Sequence, residues 1–288
     1  MIPCQQVFLP DDLFPSIYNL FVLREDLYHV FVSGNKWRKL KYYIKDIQSQ
    51  GYKAVLTFGG AYSNHLLAVA CAGAMYGFKT IGIVRGEPVQ NFILFLCKQF
   101  GMELHFVSRS MYKDKKECFN NLAQSKADYY FLDEGGAGEL GVKGCMEIWE
   151  NIPTYIDHVF CACGTGTTLA GILAGKSSSY LHTHVHGVAV LKAFDSIKKT
   201  VLQYGQNFYL HTEYTLGGYA KTTTNYLYQL SLFSRYTGIL LDPIYTGKVW
   251  WAIQDLAQRR SFAPGSNILI VHTGGLTGML GLWEKYPQ

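Results

Sequence analysis

His158-Val159-Phe160-Cys161-Ala162-Cys163-Gly164-Thr165-Gly166-Thr167-Thr168-Leu169 changes character twice within a short span. An apolar, β-branched run from His158 to Ala162 gives way to a glycine loop, and a stretch of helical period follows from Thr167 to Gly175. Strand, tight turn and helix in that order open a β-α unit. Glycines at such a junction let the backbone approach an anion, while the exposed amides of a helix N-terminus and threonine hydroxyls supply donors for a phosphate. Glycine turns between strand and helix also occur without a ligand. Two common phosphate loops do not match. A dinucleotide fingerprint needs a third glycine where Leu169 stands, and an acid near the next strand's end, where Val190 and Leu191 stand. A P-loop needs Gly-Lys-Ser/Thr, which does not follow.

The alternation extends in both directions. Upstream, Ala54 to Phe58, Thr80 to Val84 and Glu103 to Val107 read as strands, separated by helical stretches His65 to Tyr76 and Gln90 to Phe100. Downstream, His184 to Val190 and Asn267 to His272 read as strands and Lys248 to Gln258 as a helix. Repeated strand-helix units favour parallel sheets. The two series imply two of them, an α/β fold of two three-layer parallel-sheet domains. The glycine-rich segment Leu132 to Gly144 reads as a loop or hinge. It places a smaller domain at residues 46–147, inserted in a larger one formed by residues 1–45 and 148–288.

Composition sets the outer limits. Of 288 residues, 49% are hydrophobic and 16% charged, which excludes a disordered or fibrous chain. No apolar run reaches the roughly 18–20 residues that span a bilayer. The first residues lack the basic-then-apolar order of a secretory signal, and seven cysteines without regular spacing suit a reducing compartment, so a cytoplasmic protein is expected. Twenty-six Lys and Arg against 21 Asp and Glu leave a net charge of +5, too small an excess to identify a nucleic-acid binder. Lys36, Arg38, Lys39, Lys41 and Lys45 nevertheless crowd one segment. That cluster reads either as a polyanion patch or as a basic wall around one small anionic ligand.

Four further motifs carry chemistry. In Ser33-Gly34-Asn35-Lys36, a lysine after a glycine turn is suited to Schiff-base formation with an aldehyde cofactor, because neighbouring cations lower its pKa toward the neutral amine. The alternative is a solvated, charged helix start. In Phe58-Gly59-Gly60-Ala61-Tyr62-Ser63-Asn64-His65 a strand meets a helix whose amides, with Ser63 and Asn64, suit a carboxylate. Asp242-Pro243-Ile244-Tyr245-Thr246-Gly247-Lys248 and His272-Thr273-Gly274-Gly275 follow the same strand-end logic.

In this order and spacing, from about Val22 to Gly275, the motifs resemble the pyridoxal-phosphate enzymes of fold type II, the tryptophan-synthase β-like group. Within it they resemble the D-cysteine desulfhydrase and 1-aminocyclopropane-1-carboxylate (ACC) deaminase family. The resemblance implies pyridoxal 5'-phosphate as cofactor, a small amino acid as substrate and a homodimer. It implies that Lys36 is the amine bonded to the cofactor, that Ser63, Asn64 and His65 meet the substrate, and that Asn64 also contacts the cofactor ring. Gly164, Thr165, Gly166, Thr167 and Thr168 would hold the phosphate, Tyr219 and Tyr245 would face the substrate, Thr246 would join the cofactor site, and Thr273 would bond the pyridine nitrogen. A neutral hydroxyl at that nitrogen makes the ring a weaker electron sink than a carboxylate would, which suits elimination from the β-carbon.

Thr246 also bears on the substrate. ACC deaminases typically carry Glu after this tyrosine, and D-cysteine desulfhydrases carry Thr. The resemblance therefore implies elimination from D-cysteine to pyruvate, hydrogen sulfide and ammonia, with ACC or another β-substituted or D-amino acid as alternatives. Ser33 and Tyr62 stand where the family usually has Gly and Gln. A non-catalytic homologue that only binds the ligand is the second function class, and Lys36 argues against it, since binding alone has no chemical need for that amine. A nucleic-acid binder is disfavoured because few aromatics interleave the basic cluster. Three other features read as structural. His182, His184 and His186 share a strand face and are expected as exposed strand-end residues without a metal; Cys161 and Cys163 are expected as small buried hydrophobes, and Trp250 and Trp251 as packing residues.

Overall fold

The computed structural model describes residues 2–122, 128–282 and 286. The chain opens with strands β1 (Cys4–Val7) and β2 (Asn19–Leu23) and helix α1 (Asn35–Ser49). It continues through β3 (Ala54–Gly60), α2 (Asn64–Tyr76), β4 (Lys79–Arg85), α3 (Phe92–Gln99), β5 (Glu103–Val107), α4 (Lys115–Leu122), β6 (Tyr129–Leu132) and α5 (Glu139–Met146). The remainder comprises β7 (His158–Cys163), α6 (Thr167–Ala174), β8 (His184–Ala189), α7 (Phe194–Leu202), β9 (Tyr209–His211), α8 (Thr224–Thr237), α9 (Thr246–Gln258) and β10 (Asn267–Val271).

These strands form two sheets. One has the order β5-β4-β3-β6 and is wholly parallel; the other has the order β1-β2-β10-β7-β8-β9, parallel except for the antiparallel edge pair β1-β2. Parallel neighbours require a crossover, and the helices between successive strands supply it. Helices cover both faces of each sheet, so the central strands are apolar throughout: β3 buries Ala54 through Gly59, and β10 buries Ile268 through Val271. On the larger sheet, one face packs Phe160, Val188 and Ile270 against α8 and α9, and the other packs Cys161, Ala189 and Val271 against α5 and α6. The smaller sheet buries Val55 and Val84 against α1, α2 and α3 and turns Leu56, Phe58 and Ile83 to its other side. The α/β fold with two parallel sheets expected from the sequence is the fold observed. Among the described residues no helix is long and apolar enough to cross a membrane.

Several local expectations need correction. Leu132 to Gly144 is not a loop throughout: a single-turn 3-10 helix at Glu134–Gly136 leads into α5. Its glycines serve close packing. A Cβ on Gly144 would lie 1.9 Å from the Arg38 carbonyl oxygen, and one on Gly141 would lie 2.2 Å from that of Gly136. Only a bare Cα lets α5 approach α1 so closely. His186 is buried, contrary to the expected exposed strand end, and His182 precedes β8 rather than belonging to it. The reason is that β8 is an interior strand, with β9 beyond it, and the short β9 carries too little pattern to be recognised. Cys161, Cys163 and Trp250 are buried as expected, with both cysteines free.

Candidate active site

A cleft of about 1280 Å³ lies at the carboxyl ends of the parallel strands of both sheets. Its walls include Gly60 and Arg85 from the ends of β3 and β4, and Asp133 after β6. Gly164 after β7, Leu191 after β8 and Thr273 after β10 face them. Strand carboxyl ends are where loops and helix N-termini converge in α/β sheets, which is where such folds bind ligands. The cleft lining brings together Lys36, Ser63, Asn64, His65, Gly164, Thr165, Gly166, Thr167, Thr168, Tyr219, Tyr245 and Thr273.

Gly34 sets the position of Lys36. It occupies φ 59° just before α1, and a Cβ there would fall 1.9 Å from the carbonyl oxygen of Thr273. That carbonyl accepts from the Asn35 amide at 3.3 Å. The close approach, possible only for glycine, thus ties the start of α1 to the turn after β10. At the same helix start, Asn35 Nδ2 donates to Thr168 Oγ1 at 2.9 Å. Lys36 therefore stands between the glycine loop and Thr273. A buried ion pair fixes α1 from behind, Arg38 donating to both carboxylate oxygens of Glu25 at 2.6 and 2.7 Å.

The ammonium groups of Lys36 and Lys39 both reach Gly135 O, at 3.2 and 3.3 Å. Burial drives the Lys36 pKa well below its ordinary value, and the charge of Lys39 adds to that effect. A lysine so desolvated beside a second cation is disposed toward the neutral, nucleophilic amine. The basic cluster therefore divides. Lys36 and Lys39, three residues apart on one helix face, line the cleft; Arg38 pairs with Glu25, and Lys41 pairs with Glu147 at 2.7 Å. Lys39 is the site residue that motif reading passed over, and its i, i+3 spacing from Lys36 is the signal that finds it.

Opposite, Ser63 caps α2, accepting from the Leu66 amide at 3.3 Å, so the first amides of α2 point toward the cleft. His65 is buried. Thr57 has one hydroxyl proton and gives it to Leu132 O at 2.8 Å, so it must accept from His65 Nε2 at 2.8 Å. The Nδ1 of His65 has no hydrogen-bond partner among the described residues. Burial holds this imidazole neutral, its pKa well below the ordinary value. Asn64 is committed to the chain's C-terminal turn: it donates to Gly275 O at 3.4 Å and accepts from the Thr277 hydroxyl. Tyr62 stands half-exposed on the cleft wall, its ring against Gly281.

At the glycine loop, Gly166 adopts a left-handed φ of 86° as the N-cap of α6, and the Thr165 and Thr167 hydroxyls lie 2.9 Å apart. The rings of Tyr219 and Tyr245 meet edge to face with centroids 6.2 Å apart. Partial desolvation by the cleft walls raises the pKa of both, although Tyr219 keeps 42% of its surface exposed, so each phenol keeps its proton at neutral pH. His272 donates from Nε2 to Leu240 O at 2.7 Å and accepts from the Gly274 amide at 3.2 Å, which fixes the turn that presents Thr273.

Thr246 is placed differently from the expectation that it joins the cofactor site. It is fully buried behind the cleft wall, where its hydroxyl accepts from the Asp242 amide at 2.9 Å and lies 3.4 Å from the Asp242 carboxylate. That carboxylate also accepts from the amides of Ile244, Tyr245 and Thr246, but burial outweighs these bonds and pushes its pKa up to about 6. Thr246 thereby helps form the bend that leads into α9 and carries Tyr245.

The donor set can be tested against an aldehyde cofactor with a phosphate. At one end stand threonine hydroxyls and a helix N-terminus with a left-handed glycine cap. At the other stands a half-buried lysine to which no carboxylate among the described residues is bonded, and Asp133 and Glu134, the acids near it, are engaged by Lys115 at 2.8 and 3.1 Å. A phosphate anion and an amine-reactive aldehyde match these ends, so the residues fit pyridoxal phosphate.

Comparison with known proteins agrees. The family model described as "Pyridoxal-phosphate dependent enzyme" matches residues 14–274. A Thermotoga maritima protein provisionally named as an ACC deaminase is 32% identical, with 91% of this chain and 90% of that one covered. An Arabidopsis thaliana protein named as a bifunctional D-cysteine desulfhydrase/ACC deaminase of mitochondria is 29% identical, with 95% and 76% covered. Among solved structures, that of an ACC deaminase homologue superposes with a TM-score of 0.85 at 26% identity, covering 99% of this chain and 92% of the other.

Proposed function

Because this chain belongs to the pyridoxal-phosphate dependent enzymes, within the ACC deaminase and D-cysteine desulfhydrase family, we propose that it catalyses α,β-elimination of D-cysteine. With one water, D-cysteine gives pyruvate, hydrogen sulfide and ammonia. The observation that carries the reading is the half-buried, desolvated Lys36 amine in a cleft that also presents the Ser63 helix start and the two tyrosines.

Pyridoxal phosphate, when bound, supplies an aldehyde that condenses with amines and a ring that accepts the electron pair left when the α-proton departs. On this reading Lys36 is its attachment point, with Gly164 to Thr168 around the phosphate and Thr273 at the ring nitrogen. Ser63 and the first amides of α2 bind the substrate carboxylate and hold the α-carbon within reach of Lys36. The Lys36 amine, whose pKa desolvation and the charge of Lys39 hold well below its ordinary value, takes the α-proton. Tyr219 and Tyr245, whose pKa values are raised above the ordinary phenol value, keep their protons, donate to the departing sulfur and do not act as bases.

Thr246 favours D-cysteine over ACC. Its hydroxyl serves the buried Asp242 carboxylate, and a glutamate at this position would bring a second carboxyl against that group. The test is direct. Enzyme loaded with pyridoxal phosphate should release pyruvate and sulfide from D-cysteine in equal amounts, and Lys36→Ala should lose that activity by at least about 1,000-fold together with the visible absorption of the bound cofactor. Release of 2-oxobutanoate from ACC by an enzyme inert toward D-cysteine would overturn the assignment.

A further inference from the structure

Lys248 is a buried cation with no role in the chemistry above. It lies in α9, three residues after Tyr245, and has no exposed surface. No carboxylate among the described residues pairs with it. Its ammonium instead donates to three backbone carbonyls, Thr215 O at 2.8 Å, Gly218 O at 2.9 Å and Val190 O at 3.1 Å. Three donors thus meet three acceptors.

Two of those carbonyls belong to the turn that ends in Tyr219. This turn is conformationally demanding: Leu216, Gly217, Gly218 and Ala220 all have positive φ, at 53°, 94°, 141° and 54°. Side chains such as those of Leu216 and Ala220 adopt this region reluctantly, so the turn keeps its shape only where its surroundings enforce it. Packing around its glycines does not supply that enforcement, since a Cβ built on Gly217 or Gly218 would meet no atom of the described residues within 4 Å. The third carbonyl, on Val190, follows β8, and the Val190 amide donates to Cys163 O just before the glycine loop. One side chain therefore joins α9, the Tyr219 turn and the end of β8.

We propose that Lys248 is a positioning residue: it holds the Thr215–Ala220 turn so that Tyr219 stands against Tyr245 over the cleft, and it thereby sets the fit of the substrate's β-substituent. The substrate-facing part of this inference rests on the proposed function; the clamp itself does not.

The experiment uses cofactor-loaded enzyme and the variants Lys248→Met, which keeps the stem without donors, and Lys248→Gln, which keeps two donors. Amide hydrogen exchange in 215–221 should quicken about tenfold or more in Lys248→Met while exchange in the glycine loop and the cofactor absorption stay as in wild type. KM for D-cysteine should rise about tenfold with a smaller change in kcat, and Lys248→Gln should fall between. Tyr219→Phe, costly in wild type, should cost little once Lys248 is Met, a non-additivity that general destabilisation would not produce. Unchanged exchange in 215–221 overturns the clamp, and faster exchange with unchanged kinetics and additive substitutions overturns the positioning role. If Lys248→Met does not fold, Lys248→Gln decides by the same readouts. Failure of the wild type to act on D-cysteine counts against the proposed function alone, and the exchange comparison still judges the clamp.

Discussion

Gly34 shows how one missing side chain organises the cleft. Its positive φ and its contact with Thr273 O place Lys36 between two strand ends that lie far apart in sequence. Gly34→Ala adds a methyl group in a backbone region that disfavours it and against an atom that cannot move alone. A loss well above the roughly 1 kcal/mol of the backbone penalty is expected in urea unfolding, together with weakened pyridoxal phosphate uptake. Wild-type stability and uptake in Gly34→Ala would mean that the contact does not position Lys36. The Ser33-Gly34-Asn35-Lys36 pattern announced the lysine's chemistry in the sequence. The identity of the atom Gly34 must clear was not legible, because Thr273 reaches it only through the fold.

At the level of elements, β7, β8 and β9 carry a feature that the sequence only hinted at. His158 Nδ1 lies 3.1 Å from His186 Nε2, and His186 Nδ1 lies 3.1 Å from His211 Nε2, a cross-strand chain of imidazoles with His186 stacked on Phe160 at 4.1 Å. Each contact needs one proton donor and one bare nitrogen, which neutral rings supply. Burial, with the neighbouring histidines, lowers His186 to about 2 and His158 to about 4. The native state thus refuses protons that the unfolded chain binds below about pH 6.5, so stability falls as pH drops below that value, for His186 by about 1.4 kcal/mol per pH unit. Asp242, raised to about 6, acts in the opposite sense between its ordinary value and pH 6, so the comparison must be made against a variant. Unfolding free energies at pH 7.5 and 5.0 should differ less in His186→Phe than in wild type. Equal pH dependence in the two proteins would falsify the assignment. Sequence period placed His184 and His186 on one face, yet it could not show that β9 pairs beyond β8 and closes over His186.

For the whole molecule, the cleft draws its walls from both sheets, so a ligand that bridges them should stabilise the fold as a unit. Pyridoxal phosphate at 100 times its dissociation constant should add about 2.7 kcal/mol, and the thermal midpoint should rise by several degrees. Lys36→Ala, which retains the glycine loop but lacks the amine, should show a smaller rise. A midpoint indifferent to the cofactor in wild type would contradict a binding site shared by the two sheets.

The sequence by itself determined the alternation of strand and helix, the glycine loop after β7 and the order of the motifs, because these depend on periodicity and on residues with restricted backbone chemistry. Those features were enough to place the chain's family and cofactor. Only the tertiary structure decided which cations face the cleft, that the glycines of α5 permit close packing, that Thr246 serves Asp242 behind the wall, and that Lys248 bonds to the carbonyls of the Tyr219 turn. Each of these depends on contacts between segments distant along the chain. A glycine or a lysine has the same local signature whether it meets solvent, a ligand or another backbone, and burial alone assigns its role.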